Sequence, residues 1–279
     1  MLFRLPSFSE RPAIMGILNV TPDSFYDGGK YMDKEKALQR AREMAADGAG
    51  IIDVGGESTR PDALPVSAQE EIDRVCPVIE AIVGEIPLMV SVDTTKSSVA
   101  SAAVTAGAVI INDISGASFD HAMLDIAASS GCAIVLTHTS GLPDEMQKKT
   151  SYNNLLGDII SFLLSRKAAA VEKGVDAGNI ILDPGIGFGK TLDDNYRIIK
   201  GIPELKKNSS PILIGLSRKS LIGKLYTKEE DRLAATIALN SVAIYSGADI
   251  IRVHDVKAHS LAMAALLKLR EVATGAVSQ

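Results

Sequence analysis

The sequence of 279 residues has no tryptophan, only two cysteines and 4% aromatic residues. A disulfide-stabilised scaffold is therefore excluded. Cys76 and Cys132 have no CxxC spacing, and we predict that both are buried free thiols. With 46% hydrophobic residues and so few aromatic ones, the core is expected to consist of aliphatic side chains.

Long hydrophobic runs and blocks of basic residues are also lacking. The longest uncharged helical segment, Leu233 to Ala248, contains Asn240 and falls short of the roughly 18 apolar residues that span a bilayer. The net charge of −5 argues against nucleic acid and anionic membranes as partners. The N-terminus lacks the apolar stretch of a signal peptide, so we expect a cytoplasmic protein.

Apolar runs of strand length recur along the chain. They are Ile14 to Leu18, Ile51 to Val54, Leu88 to Val92, Val109 to Ile114, Ala133 to Leu136, Ile180 to Leu182, Ile212 to Gly215 and Ile250 to Val253. These runs are continuous rather than alternating, which is typical of parallel strands covered on both faces.

Segments with helical periodicity separate these runs and follow the last one. They are Lys34 to Ala46, Ala68 to Val83, Ser97 to Ala106, Ala122 to Ser129, Leu155 to Lys173, Asp193 to Lys200, Asp231 to Tyr245 and Lys257 to Val272. Strand and helix alternate, and no Pro/Ser-rich linker divides the chain. The pattern predicts an α/β fold, a (β/α)8 TIM barrel forming one domain over residues 1–279.

Polar residues lie at the predicted strand ends, where a (β/α)8 barrel assembles its active site. They are Asn19, Asp53, Asp93, Asn112, Asp113, His138, Asp183, Ser217, Arg218, Lys219, Arg252 and His254. Groups that lose water in such a mouth need a ligand, a cation or backbone amides as partners. Ordinary roles stay open for single residues: Asp53 or Asp113 capping the next helix, Lys219 as a solvated loop residue, and His138 as a core histidine.

The polar residues fall into two chemical groups. Asp93, Asn112 and Asp183 are rich in acceptors and suit a flat heterocycle with several N–H donors. Arg252, His254 and Asn19 adjoin one another once strand eight closes on strand one, and their donors suit a phosphate. We therefore predict a ligand with two chemically different parts.

A glycine-rich turn, Gly185 to Thr191, looks like a phosphate-binding P-loop. The motif G-x-x-x-x-G-K-[ST] requires glycine where this chain has Pro184, so the P-loop interpretation fails. A turn in which the backbone approaches a planar ring, with Phe188 stacking on that ring, fits better.

These residues lie in motifs that resemble the dihydropteroate synthase family over essentially the whole chain. The motifs are Met15 to Phe25 (MGILNVTPDSF), Asp53 to Pro61 (DVGGESTRP), Ser91 to Thr94 (SVDT), Ile111 to Ile114 (INDI), Asp183 to Lys190 (DPGIGFGK), Ser217 to Ser220 (SRKS) and Arg252 to Asp255 (RVHD). They occur in the order in which the family has them.

The resemblance implies an enzymatic activity. Members of the family join 6-hydroxymethyl-7,8-dihydropterin diphosphate to p-aminobenzoate, releasing pyrophosphate and forming 7,8-dihydropteroate for folate synthesis. The resemblance further implies Mg2+ as cofactor, sulfonamides as inhibitors and a homodimer. The helix from Leu233 to Tyr245 could form the dimer interface or be an ordinary barrel helix.

The resemblance also implies roles for individual residues. The pterin would be held by Asp93, Asn112, Asp183, Phe188 and Lys219. The diphosphate would be held by Asn19, Arg60, Arg252 and His254, with Asn19 also reaching Mg2+. The p-aminobenzoate would be held by Phe25, Ser58, Thr59, Pro61 and Ser217. The residues expected to contribute most to catalysis are Asp23, Arg60, Lys219, Arg252 and His254.

The chain departs from the family pattern at three positions. Thr137 and Thr139 replace methionines on either side of His138, and Asp62 replaces a common glycine. Three alternatives stay open. They are a pterin-binding methyltransferase barrel, which would not need the loops after the first two strands (Thr21 to Phe25 and Ser58 to Pro61), a non-catalytic pterin-binding barrel, and a phosphate-binding lyase or isomerase barrel.

Overall fold

A computed structural model describes residues 3–8, 10–21, 29–57, 66–141, 146, 150–226 and 228–273, with the backbone alone described at 29–33, 220, 229–230 and 273. Eight parallel strands run through this part of the chain. They are β1 (Ala13–Asn19), β2 (Ile51–Gly55), β3 (Met89–Asp93), β4 (Ile110–Asp113), β5 (Ala133–Thr137), β6 (Ile180–Asp183), β7 (Leu213–Ile214) and β8 (Ile250–Val253).

The sheet closes on itself. Its strand order is β6-β5-β4-β3-β2-β1-β8-β7, so β1 pairs with both β2 and β8. A parallel bridge between Leu182 and Ile212 joins β6 to β7, and the amide of Leu182 donates to the carbonyl of Pro211 at 2.9 Å. The predicted (β/α)8 barrel is therefore confirmed.

Helices connect the strands. They are α1 (Gly29–Ala46), α2 (Ala68–Glu85), α3 (Ser97–Thr105), α4 (Met123–Ser130), α5 (Leu155–Glu172), α6 (Leu192–Lys200), α7 (Ile202–Lys206), α8 (Ser220–Gly223), α9 (Glu229–Tyr245) and α10 (Val256–Ala273), with a 3-10 turn at Ala177–Asn179. Side chains cap the N-termini of several helices. Thr191 and Asp194 form a capping box at α6, and Oγ of Ser67 accepts from the amide of Glu70 at α2.

Two apolar layers hold the barrel. The larger one lies between the strands and the surrounding helices. The smaller one fills the barrel interior near the amino ends of the strands and consists of Phe8, Met15, Ile51, Ile110, Ala133, Val135, Ile181, Leu213 and Ile250. Phe8 comes from the segment before β1, which Asn179 holds by accepting from the amide of Leu5 and donating to the carbonyl of Phe3. The barrel is thus plugged at one end, and its polar residues gather at the other.

Several predicted boundaries were wrong. Helix α1 begins at Gly29 rather than Lys34, a start that was missed because glycine has a low helix propensity and Gly29 gave no helical signal in the sequence. The short helices α7 and α8 were not predicted, since four or five residues show no helical period. Cys132 is buried as predicted, whereas Cys76 is only partly buried. Among the described helices, none is long and apolar enough to cross a membrane.

Candidate active site

The polar residues of the barrel mouth stand directly above the apolar plug, because side chains two positions apart share one face of a strand. Four apolar residues of the plug are followed two positions later by a polar one: Ile51 by Asp53, Ile110 by Asn112, Ile181 by Asp183 and Ile250 by Arg252. The strand register places the carboxyl ends of β1 to β4 at the same height, since Asn19 pairs with Gly55, Gly55 with Asp93, and Asp93 with Asn112. The predicted polar mouth is therefore one layer of the barrel.

Arg252 lies at the centre of this layer. Its Nε donates to Oδ2 of Asp53 at 2.6 Å, and its Nη2 donates to Oδ2 of Asp93 at 2.5 Å. Burial lowers the pKa of Arg252, but the two carboxylates outweigh burial and raise that pKa above its usual value. Burial raises the pKa of Asp93, and Arg252 opposes the rise. The guanidinium thus neutralises two buried carboxylates.

Asp53 links this cation to the amide of Asn112. Its Oδ2 also accepts from Nδ2 of Asn112 at 3.0 Å, while its Oδ1 is buried without a hydrogen-bond partner among the described residues. The helix-cap interpretation of Asp53 is therefore wrong. With its amide nitrogen committed to Asp53, Asn112 keeps its carbonyl oxygen for a donor.

Asp113 is not part of this layer. Its two oxygens accept from the amides of Ser115 at 2.7 Å and Ala117 at 3.0 Å, so it caps the turn after β4. Burial raises its pKa to about 6, and hydrogen bonds from Ser115 and Ala117 oppose the rise. Asp113 therefore has a capping role, as one alternative held, but it caps a turn rather than the next helix.

Asp183 and Lys219 flank the glycine turn. Oδ1 of Asp183 accepts from the amide of Gly185 at 2.7 Å, which orients the carboxylate at the start of the turn. Burial raises the pKa of Asp183, and the charge of Lys219 lowers it. Lys219 is not a solvated loop residue: its Nζ donates to the carbonyl of Ile186 and lies 4.1 Å from the centroid of the Phe188 ring.

The conformation of the turn requires glycine. Gly187 has φ +83°, and a Cβ there would lie 3.1 Å from Cδ of Lys219. Burial lowers the pKa of Lys219 to about 8, with Asp183 opposing that change. Phe188 contacts the Lys219 ammonium, and its stacking on a ligand ring stays a prediction.

Ser217 and His254 join the ends of β7 and β8. Oγ of Ser217 lies 3.0 Å from Nδ1 of His254, and the amide of His254 donates to the same Oγ at 3.3 Å. Since Oγ accepts from the amide, its own hydrogen can be donated to Nδ1. That arrangement places the ring proton of a neutral His254 on Nε2, directed away from Ser217.

Between Ser217 and Lys219 the backbone makes a sharp turn. Arg218 has φ +59°, an uncommon conformation for a residue other than glycine. Its guanidinium pairs with Asp255 at 3.1 Å. The turn directs Ser217 and Lys219 towards different neighbours, His254 and the glycine turn.

The two threonines of the β5 end have different environments. Thr137 is buried, and its hydroxyl has no partner among the described residues, whereas the Thr139 hydroxyl donates to the carbonyl of Gly141 at 2.8 Å. His138 is buried between them, with Nδ1 3.0 Å from Nζ of Lys190. The core-histidine alternative for His138 is confirmed, and its lysine partner was not predicted.

Several predicted residues lie outside the described part of the chain. They are Asp23, Phe25, Ser58, Thr59, Arg60, Pro61 and Asp62. Sequence reasoning also missed an ion cluster in which Lys96 lies 2.6 Å from both the partly buried Glu57 and the fully buried Glu71. A fully buried acidic residue such as Glu71 on an amphipathic helix gives no signal in sequence until its partner is known.

The described residues contain no group of three His, Cys, Asp or Glu side chains that could hold a metal ion alone. Asn19, which ends β1, offers a hard amide oxygen at the mouth. Mg2+ commonly takes one or two protein oxygens and completes its shell with water and substrate phosphates. Asn19 fits that mode of binding, in which the substrate supplies the other ligands.

Comparison with known proteins agrees with the fold. The sequence profile of a family described as pterin binding enzyme matches residues 15–254. A dihydropteroate synthase from Bacillus subtilis is 50% identical over 252 residues, covering 90% of this chain and 86% of the relative.

Two crystal structures of dihydropteroate synthases superpose closely. The enzyme from Clostridium difficile, solved with pteroic acid, is 38% identical with a TM-score of 0.90, covering 95% of this chain and 99% of that one. The Yersinia pestis enzyme, solved with a sulfonamide drug, is 42% identical with a TM-score of 0.88, covering 95% and 96%. The chain belongs to the pterin-binding enzyme family, and the relatives it matches are dihydropteroate synthases.

Proposed function

We propose that the protein is an enzyme that condenses 6-hydroxymethyl-7,8-dihydropterin diphosphate with p-aminobenzoate. The bond between the pterin methylene carbon and the diphosphate oxygen breaks, a carbon–nitrogen bond to the aniline forms, and a proton leaves the nitrogen. The products are 7,8-dihydropteroate and pyrophosphate. The observation that carries this proposal is the cluster of Asp53, Asp93, Asn112 and Arg252, which places acceptors for a pterin beside a cation for a diphosphate.

The pterin binds to the acceptors at the ends of β3, β4 and β6. The carboxylates of Asp93 and Asp183 and the carbonyl oxygen of Asn112 face the amino group and ring nitrogens of the pterin. Lys219 donates to a ring acceptor, and Phe188 packs on the ring face. Because Asp93 is already paired with Arg252, the pterin and diphosphate sites share one ion pair.

The diphosphate binds at the junction of β8 and β1. Arg252 and the Nε2–H of His254 donate to phosphate oxygens, Arg60 adds a second guanidinium, and Asn19 holds Mg2+. Mg2+ bound there supplies positive charge that stabilises the leaving pyrophosphate. Chelating Mg2+ is expected to suppress turnover and to weaken pyrophosphate binding.

We infer that the p-aminobenzoate is bound by Ser217 together with residues that follow the first two strands. Phe25, Ser58, Thr59 and Pro61 form its pocket, and Asp23 closes over the reacting groups. Ser217 contacts the carboxylate of p-aminobenzoate while it also bonds to His254, so this pocket adjoins the diphosphate site. A reaction of this kind depends on positioning and charge stabilisation, and needs no activated serine or cysteine nucleophile.

The active form is a homodimer in the cytoplasm, with one catalytic domain per chain. Exposed apolar side chains on the last two helices support a self-association surface: Val242, Tyr245, Leu261, Leu269 and Val272. The free thiols of Cys76 and Cys132 suit a reducing compartment.

Steady-state kinetics with a sulfonamide inhibitor test the proposal. Pyrophosphate release from the pterin diphosphate should require p-aminobenzoate, and the sulfonamide should compete with p-aminobenzoate but not with the pterin diphosphate. Pro61→Ser and Phe25→Leu should raise the inhibition constant more than the KM for p-aminobenzoate, because the drug extends beyond the substrate outline. Absence of turnover together with binding of methyltetrahydrofolate would favour the methyltransferase alternative.

A further inference from the structure

Lys190 is buried, and its ammonium has three acceptors. Nζ lies 3.0 Å from Nδ1 of His138, 2.9 Å from the carbonyl oxygen of Phe188 and 3.4 Å from the carbonyl oxygen of His138. The lysine is only 5% exposed. A buried ammonium must be matched by acceptors, and three protons meet three acceptors here.

These contacts fasten the glycine turn, residues 185–189, to the segment after β5. A Cβ at Gly185 would lie 1.9 Å from the carbonyl oxygen of His138, and one at Gly189 would lie 1.7 Å from Oγ of Ser140. The Tyr152 hydroxyl donates to the carbonyl of Gly189 at 2.9 Å. The turn therefore fits against its neighbour only as bare backbone, and Lys190 is the charged group at that junction.

The same turn also contacts residues of the proposed pterin site. Ile186 offers its carbonyl to Lys219, and Phe188 lies under the Lys219 ammonium. The start of the turn also holds Asp183 through the amide of Gly185. Two lysines thus contact one turn, Lys219 at Ile186 and Phe188 and Lys190 at Phe188.

We propose that Lys190 is a positioning residue that fixes the glycine turn, and through it Phe188, Lys219 and Asp183, for binding of the pterin ring. This inference rests on the proposed function, because it assigns that turn to the pterin half of the site. Lys190 contacts neither the reacting atoms nor the diphosphate. Its removal therefore weakens binding of the pterin ring and leaves binding of pyrophosphate unchanged.

The chemistry of His138 agrees with this role. To accept from Lys190, Nδ1 must be unprotonated, and burial together with the charge of Lys190 lowers the pKa of His138 to about 3. Burial lowers the pKa of Lys190 to about 7, and the charge of Asp183 opposes that change. The ring of Phe162 packs edge-on against His138 at 5.0 Å between centroids, which holds the imidazole in place.

The test compares Lys190→Met with Lys200→Met, which removes an exposed lysine from the end of α6. Calorimetry measures the affinity for 6-hydroxymethylpterin without phosphates and, separately, for pyrophosphate with Mg2+. Lys190→Met should lower the affinity for the pterin at least tenfold and change that for pyrophosphate less than twofold. The KM for the pterin diphosphate should rise while the KM for p-aminobenzoate stays the same, and Lys200→Met should match wild type.

A second variant covers the case in which Lys190→Met fails to fold. Tyr152→Phe removes the hydroxyl that bonds to Gly189 and should weaken pterin binding about threefold, again without affecting pyrophosphate. Unchanged pterin affinity in a folded Lys190→Met protein, or equal losses for both ligands, would overturn the positioning role. Failure of the wild-type protein to bind the pterin would instead overturn the proposed function.

Discussion

Arg252 and Asp53 are joined by a 2.6 Å hydrogen bond across the barrel interior, although they are 199 residues apart in sequence. Asp53 is fully buried and bonds to Nε of Arg252, while Nη2 of Arg252 donates to Asp93. A charge in such a place is stable only with its partner, because its hydration has been lost. The arginine is therefore part of the folded barrel as well as part of the binding site.

Replacing Arg252 with alanine should affect stability and both halves of the site. Two buried carboxylates lose their counter-charge, so the free energy of unfolding should fall by about 3 kcal/mol. Affinity for pyrophosphate falls because a cation is lost, and affinity for the pterin falls because Asp93 is no longer held. Denaturant unfolding and calorimetry measure these changes.

Arg197 is the matched control for this variant. It forms an ion pair with Asp194, but its side chain is 67% exposed. Arg197→Ala should change the free energy of unfolding by less than about 0.5 kcal/mol and leave both affinities unchanged. Arg252→Ala with full pterin affinity would show that the two subsites do not share the ion pair.

A second prediction concerns the ion cluster of Lys96, Glu57 and Glu71. Lys96 neutralises Glu57 and the fully buried Glu71, each at 2.6 Å, and Glu57 also accepts from the amide of Val66 at 2.9 Å. Lys96→Met leaves Glu71 buried without a counter-charge and should lower the free energy of unfolding by roughly 3 kcal/mol.

Lys207→Met provides the comparison, because the pair of Lys207 and Glu204 is exposed on both sides and should contribute less than about 0.5 kcal/mol. Urea unfolding of both variants measures the difference. Similar small losses in the two proteins would mean that Glu71 finds another partner.

A third prediction concerns acid stability. The pKa of His138 is lowered to about 3 in the folded protein, from 6.5 as the ordinary value, by burial and by Lys190. Between those pH values the unfolded chain binds one more proton at this residue than the folded protein does. The free energy of unfolding should therefore decrease as the pH falls below about 6.5, by up to about 1.4 kcal/mol per pH unit from this group.

Urea titrations between pH 4 and 7 test this, with His138→Gln as the variant and His121→Gln as control, since His121 is exposed. His138→Gln should show a shallower dependence of stability on pH than wild type, and His121→Gln should not. A slope unchanged by His138→Gln would contradict the neutral buried state of that ring.

Features of the fold that arise from interactions between residues close in sequence could be predicted, and those that arise from residues far apart in sequence could not. Strand and helix alternation is local, so the barrel follows from apolar runs such as Ile51–Val54 and from the order of the units. The polar layer follows too, because residues such as Asp183 and Arg252 end their strands. Strand β7 keeps only Leu213–Ile214, and its neighbour Ile212 still provides the bridge that closes the sheet.

Side-chain pairing could not be predicted from sequence, because it depends on contacts between distant units. Asp93 and Arg252 were assigned to different ligand parts, yet they bond directly across 159 residues. Lys190 was noted only as part of sequence motifs, the failed P-loop and the family motif Asp183 to Lys190, and its contact with His138 joins two different strand ends. Such contacts require the closed barrel to be known first.

The central claim is that the mouth holds two subsites, one for the pterin and one for the diphosphate. The most direct test measures the binding of pterin and of pyrophosphate to two variants, one in each subsite. Asp183→Asn keeps an acceptor for Gly185 but presents a donor to the pterin, so calorimetry should show pterin affinity reduced tenfold to more than a hundredfold, roughly 1.5–3 kcal/mol. Its affinity for pyrophosphate should stay within twofold of wild type. His254→Ala should show the reverse pattern. Equal losses of both ligands in both variants would contradict the division of the site.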